Sequence, residues 1–146
     1  MNILVSYCLL GEPCRYDGKS VPVEALQALR RAGHTLVPVC PEKLGGLPTP
    51  RAPAELQPDG RVLNREGEDV TDAYLEGARL ALEIAGQRGC TLAVLKANSP
   101  SCGSRLIYDG TFSGRRICGQ GMTARLIAEA GIPVVDEDGL DILTMG

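Results

Sequence analysis

Four short apolar runs, set apart by helix-periodic and by glycine- and proline-rich stretches, predict an α/β domain built on a mainly parallel open sheet. The runs occupy residues 2–5, 34–39, 91–96 and 132–135. Each is nearly continuous in apolar residues, as strands buried on both faces are. Strands alternating with helices imply three layers, of the Rossmann-like or flavodoxin-like kind. Right-handed crossovers then bring the loops that follow the strands to one edge of the sheet, where open α/β sheets bind ligands.

The first run breaks at Gly11 and Pro13 into a polar loop, so Cys8 stands where strand becomes loop. Residues 23–32 follow with Val23, Leu26 and Leu29 at helical spacing and Gly33 as the stop. The second run leads into residues 40–60, which are rich in Pro and Gly; that composition argues against a regular helix and for a binding loop. Residues 61–64 and those after Gly67 suggest a small hairpin. Thr71 reads as an N-cap for a long amphipathic helix over 73–87, and the third run follows at once. Residues 104–118 read as loop, with a hairpin through Tyr108, Asp109, Gly110 and Thr111. A last helix over 122–130, closed by Gly131, precedes the fourth run.

At 146 residues the chain suits one domain, 1–146. Hydrophobic residues at 44% and charged residues at 23% are ordinary globular values. The net charge of −3 gives no pull toward nucleic acid, and aromatics at 3% give no stacking platform for single strands. No basic leader opens the chain and no apolar stretch reaches membrane-spanning length, so a cytoplasmic protein without a membrane partner is expected. Six cysteines in that setting read as thiols, metal ligands or catalytic groups rather than disulfides. The oligomeric state is not encoded in any motif.

Three of the apolar runs end in a cysteine: Cys8, Cys40 and Cys102. Convergence of these three at the carboxyl edge of the sheet is the central expectation. A thiolate triad suits zinc or an iron–sulfur cluster, although no C-x-x-C pair is present and unligated thiols remain an equal reading. Cys14 shares the first loop, Cys90 lies on the opposite edge as a small buried hydrophobe, and Cys118 has no assigned role.

The segments Ile3-Leu4-Val5-Ser6-Tyr7-Cys8-Leu9-Leu10-Gly11, Arg15-Tyr16-Asp17-Gly18, Cys40-Pro41-Glu42, Gly45-Gly46-Leu47-Pro48-Thr49-Pro50-Arg51, Ala54-Glu55, Ser99-Pro100-Ser101-Cys102-Gly103 and Gly119-Gln120-Gly121 occur in this order. Together they closely resemble the thiouracil desulfurase family over nearly the whole chain. The resemblance implies a [4Fe–4S] cluster held by Cys8, Cys40 and Cys102, with one iron open to the sulfur of a thiocarbonyl group. The implied reaction is hydrolysis of C=S in a small thiolated molecule such as 2-thiouracil, giving a carbonyl and sulfide without net redox change. Glu42, the carboxylate nearest to a ligand in sequence, is the expected base for water. The family pairs such a glutamate with a serine of the Ser-Pro-Ser-Cys-Gly motif; Ser101 adjoins Cys102, but alternation along an extended loop leaves Ser99 an equal candidate. Tyr16, Asp17 and Arg51 are the expected substrate-binding residues, Asp17 for a ring N–H and Arg51 for a carbonyl or anionic group. Lys96 is a further polar group beside these motifs. The glycine-rich entry at Gly119-Gln120-Gly121 offers backbone N–H groups to an anion.

Two alternatives stand beside this reading. A low-molecular-weight cysteine phosphatase or arsenate reductase also carries a cysteine-to-arginine loop after its first strand, but Cys8 to Arg15 encloses one residue too many and includes Pro13. A non-catalytic metal- or sulfur-binding module would use Cys14 as a fourth ligand and close the cluster.

Overall fold

A computed structural model describes residues 1–20 and 22–140. Four strands, β1 (Asn2–Ser6), β2 (Thr35–Val39), β5 (Cys90–Val94) and β8 (Val134–Val135), form a sheet in the order β2-β1-β5-β8, every pair parallel. From β1 the chain first lays β2 on one side and later β5 on the other, so the order reverses between β1 and β5. That reversal is the switch point at which a crevice opens beyond the strand ends.

Alternation along the strands builds the three layers. Ile3 and Val5 of β1 and Leu92 and Val94 of β5 pack with Leu26 and Leu29 of α1 (Glu24–Arg31). Leu4 and Ala93 face the other way, onto Ala85 of α3 (Thr71–Gln87) and onto Ala124 and Ile127 of α4 (Met122–Glu129). None of the described helices is long and apolar enough to cross a membrane.

The expected strands and long helices are all present, with differences at their edges. Residues 40–60 do hold a helix, the single turn α2 (Pro41–Leu44), because Pro41 sits at its first position, where a fixed φ helps and no N–H is needed. β4 (Val62–Asn64) pairs with β3 (Ala54–Leu56), and with the residues after Gly67 it forms the small hairpin through the bridge Leu63 to Asp69, flanked by Asn64 N–H to Glu68 O and Val70 N–H to Val62 O, both at 2.9 Å. Thr71 is inside α3 rather than its cap; its N–H donates to Asp69 Oδ1 at 2.9 Å, and its hydroxyl oxygen accepts from Val62 N–H at 2.9 Å. The hairpin over 104–118 is formed by β6 (Leu106–Tyr108) and β7 (Arg116–Cys118).

One close approach positions the site. A Cβ on Gly77 of α3 would lie 1.9 Å from the Pro41 carbonyl oxygen, and one on Gly45 would lie 1.9 Å from that of Ala73. Two glycines therefore let α2, with Cys40 at its N-cap and Glu42 in its first turn, seat directly on α3. Gly77→Ala is expected to cost about 1–3 kcal/mol by overpacking. Gly86→Ala, in the same helix with open space around it, should gain about 0.5–1 kcal/mol. Denaturant unfolding of the pair checks the difference in sign.

Candidate active site and metal centre

Beyond the ends of β1, β2 and β5 lies a cavity of about 480 Å³, lined by Cys8, Cys14, Cys40 and Cys102 among others. Cys8 reaches it from a 3₁₀ turn (Tyr7–Leu10) directly after β1, Cys40 from the N-cap of α2, and Cys102 from the loop after β5. The topology thus delivers the expected triad to one wall. It adds Cys14, 2% exposed, whose thiol lies within hydrogen-bonding reach of both Cys40 and Cys8.

Three of these thiols, Cys14, Cys40 and Cys102, are held neutral. For Cys14 a bond with Cys40 pulls the pKa down, while one with Cys8 and burial push it up, to about 11. Cys40 is raised by its bond with Cys14 and by burial. Burial and the Glu42 carboxylate raise Cys102 to about 12, against the hydroxyls of Ser6 and Ser101. A thiophilic cation would reverse that balance, since it binds thiolates and releases their protons. Among the described residues no three His, Cys, Asp or Glu side chains stand close enough to hold a single metal ion. A four-iron cluster is held by soft sulfur donors, each on its own iron, and the cysteines that line this cavity are donors of that chemistry.

The wall beside Cys40 carries a wired carboxylate. Glu42 pairs with Arg51, and Ser99 Oγ donates to Glu42 Oε1 at 3.4 Å. Arg51 is not free for substrate: its side chain is 7% exposed and also donates to Pro48 O (3.1 Å), Thr49 Oγ1 (3.2 Å) and Cys14 O (3.2 Å). Burial opposes its charge, yet Glu42 more than compensates and the guanidinium is held above its ordinary pKa. Arg51 thereby ties the Pro- and Gly-rich loop to the first cysteine loop and fixes the Glu42 carboxylate.

The two serines are separated by the turn they share. Ser99 lines the cavity, and its Oγ accepts from the N–H groups of Ser101 and Cys102, both at 3.0 Å. Ser101 is fully buried and shares a hydrogen bond with Thr123 Oγ1 at 2.7 Å. The glycine-rich entry to α4 also has its donors committed: Gly121 N–H to Gly103 O (2.8 Å), Met122 N–H to Pro100 O (3.0 Å) and Thr123 N–H to Ser101 O (2.9 Å). They hold the loop that carries Cys102 instead of an anion.

Tyr16 lines the cavity and is 41% exposed, with the Arg15 guanidinium 5.8 Å from its ring centre. Asp17, expected to read a ring N–H, is absent from the lining; it pairs with Arg15 at 3.6 Å and accepts from Lys19 N–H at 3.0 Å, as a turn aspartate does. Arg15 lines the cavity as well, paired with Asp17 of its own turn. Lys96, also on the wall, pairs with Glu137 at 3.0 Å. The cavity also brings in Arg65, Tyr74 and Phe112, which the sequence did not single out, along with Glu55 of the Ala54-Glu55 segment and Tyr108 of the expected hairpin, to which it gave no role at the site. Tyr74 was hidden in the inward stripe of α3; burial and Glu42 raise its pKa, so its phenol stays neutral.

The 2-thiouracil desulfurase family matches residues 3–139. The chain belongs to that family. It is 44% identical over 151 residues to the uncharacterised protein YbbK of Bacillus subtilis (strain 168), covering 97% of this chain and 99% of that one. Its fold is similar to that of the [4Fe-4S]-dependent thiouracil desulfidase TudS, with a TM-score of 0.91 and 46% identity over 99% of this chain and 95% of the other.

Proposed function

We propose that this chain is an enzyme that hydrolyses the C=S group of a small thiolated molecule such as 2-thiouracil, with a [4Fe–4S] cluster held by Cys8, Cys40 and Cys102. The observation that carries the reading is the meeting of these strand-end cysteines with the Glu42–Arg51–Ser99 wall in one cavity, in a chain of this family. The cluster, when bound, supplies a soft Lewis acid for the thiocarbonyl sulfur.

The chain's own groups do the rest. Glu42, aligned by Arg51, takes a proton from water as its oxygen bonds to the thiocarbonyl carbon. The C–S bond then breaks, the carbon keeps the water oxygen as C=O, and both protons of the water leave with sulfur as hydrogen sulfide. No electrons enter or leave. Ser99 orients Glu42 and, through two N–H groups, the turn that carries Cys102. Ser99→Ala is expected to lower kcat on 2-thiouracil by about 10–100-fold, an effect in the range of a lost positioning group. Ser101→Ala should mainly cost about 1 kcal/mol of stability through the orphaned Thr123 hydroxyl. Steady-state rates and unfolding curves of the two variants separate the roles.

Cys14 stands close enough to compete as a ligand, and that is the specific ground for the closed-cluster alternative. With three ligands sufficient, Cys14→Ala is expected to keep the visible absorbance of the cluster; loss as complete as in Cys8→Ala would favour the non-catalytic module. A cytoplasmic setting, in which cysteine thiols stay reduced, belongs to the same proposal. The test of the function is anaerobic incubation with 2-thiouracil in ¹⁸O-labelled water. Sulfide and labelled uracil in equal amounts support the reading, and their absence from cluster-loaded protein contradicts it.

A further inference from the structure

The chain has four tyrosines, one phenylalanine and no tryptophan, and all five rings line this one cavity. Phe112 is held there at a cost. Its φ of 56° is left-handed, a conformation that a bulky side chain rarely adopts. The restraint comes from Glu55 on β3, 8% exposed, whose Oε1 accepts from Gly110 N–H at 2.9 Å and from Phe112 N–H at 3.1 Å. Gln57, on the residue after β3, donates to Gly110 O at 3.1 Å. The Arg65 guanidinium lies 5.9 Å from the Phe112 ring centre, covering one face. A buried carboxylate spent on two loop N–H groups and a strained backbone together fix the placement of one ring on the cavity wall.

We infer that Phe112 is a specificity-determining residue that stacks on the flat heteroaromatic ring of the substrate, and that Glu55 is the positioning residue that latches it. This rests on the desulfidase reading. Stacking is sequence- and substituent-tolerant but requires a planar partner, so Phe112 acts on binding rather than on the chemical step.

Phe112→Ala in cluster-loaded enzyme is expected to raise KM for 2-thiouracil about tenfold, the loss of one stacking face, with kcat nearly unchanged. Phe112→Tyr should restore the wild-type KM and Phe112→Leu should not. Glu55→Ala should reproduce the KM defect, while Glu55→Gln, which keeps an accepting oxygen, should largely avoid it. Calorimetric binding of 2-thiouracil to the same Phe112 variants in a Glu42→Gln background gives the comparison without turnover. If Leu restores KM and affinity as well as Tyr, or Ala leaves both at their parent values, the inference is overturned while wild-type turnover stands. If wild type releases no sulfide but the Ala and Leu variants still bind 2-thiouracil about tenfold more weakly, the functional reading fails and the stacking role holds.

Discussion

Cys40→Ala, purified and reconstituted without oxygen, is expected to lose the cluster and all sulfide release together. Cys40 closes β2 and caps α2, so it is fixed by two elements at once, and no other described thiol on that strand can replace it. Cys14 is the nearest substitute, but its position is set by the first loop, where its carbonyl accepts from Arg51. Cys118→Ala is the matching control, because that thiol is exposed on β7, away from the cavity. Iron content and sulfide release of the two variants check the contrast. Retention of a full cluster by Cys40→Ala would mean that another ligand set holds it.

Glu42→Gln separates the base from the ligands. The amide can still accept from Ser99 and Arg51 but takes no proton from water, so turnover should fall about 10²–10⁴-fold. The visible spectrum should match that of wild type. Arg51 keeps its bonds to Pro48 O, Thr49 Oγ1 and Cys14 O, which limits the structural cost of the lost charge. A Gln variant with wild-type kcat would remove Glu42 from the chemistry.

The strands and their cysteines were legible because a parallel sheet has one carboxyl edge, and apolar runs mark where each strand stops. Cys8, Cys40 and Cys102 needed no tertiary information beyond that. Ser99 and Ser101 were not separable, because alternation holds in extended chain and the Ser99–Cys102 segment is a turn closed by Gly103 N–H to Ser99 O at 2.9 Å. Asp17 and Arg51 suit a substrate as hydrogen-bonding groups in the quoted motifs; their partners, Arg15 and Glu42, depend on loops whose paths no periodicity reveals. The aromatic count does not show placement: the five aromatic residues share one cavity, which only the fold reveals. α2 was missed because a single turn started by proline leaves no periodic pattern to detect.

The most direct test of the central claim is the iron and acid-labile sulfide content of wild-type protein after anaerobic reconstitution, read alongside its visible absorbance. About four irons and four sulfides per chain are expected. Protein that keeps no iron above trace after reconstitution would contradict a cluster at Cys8, Cys40 and Cys102.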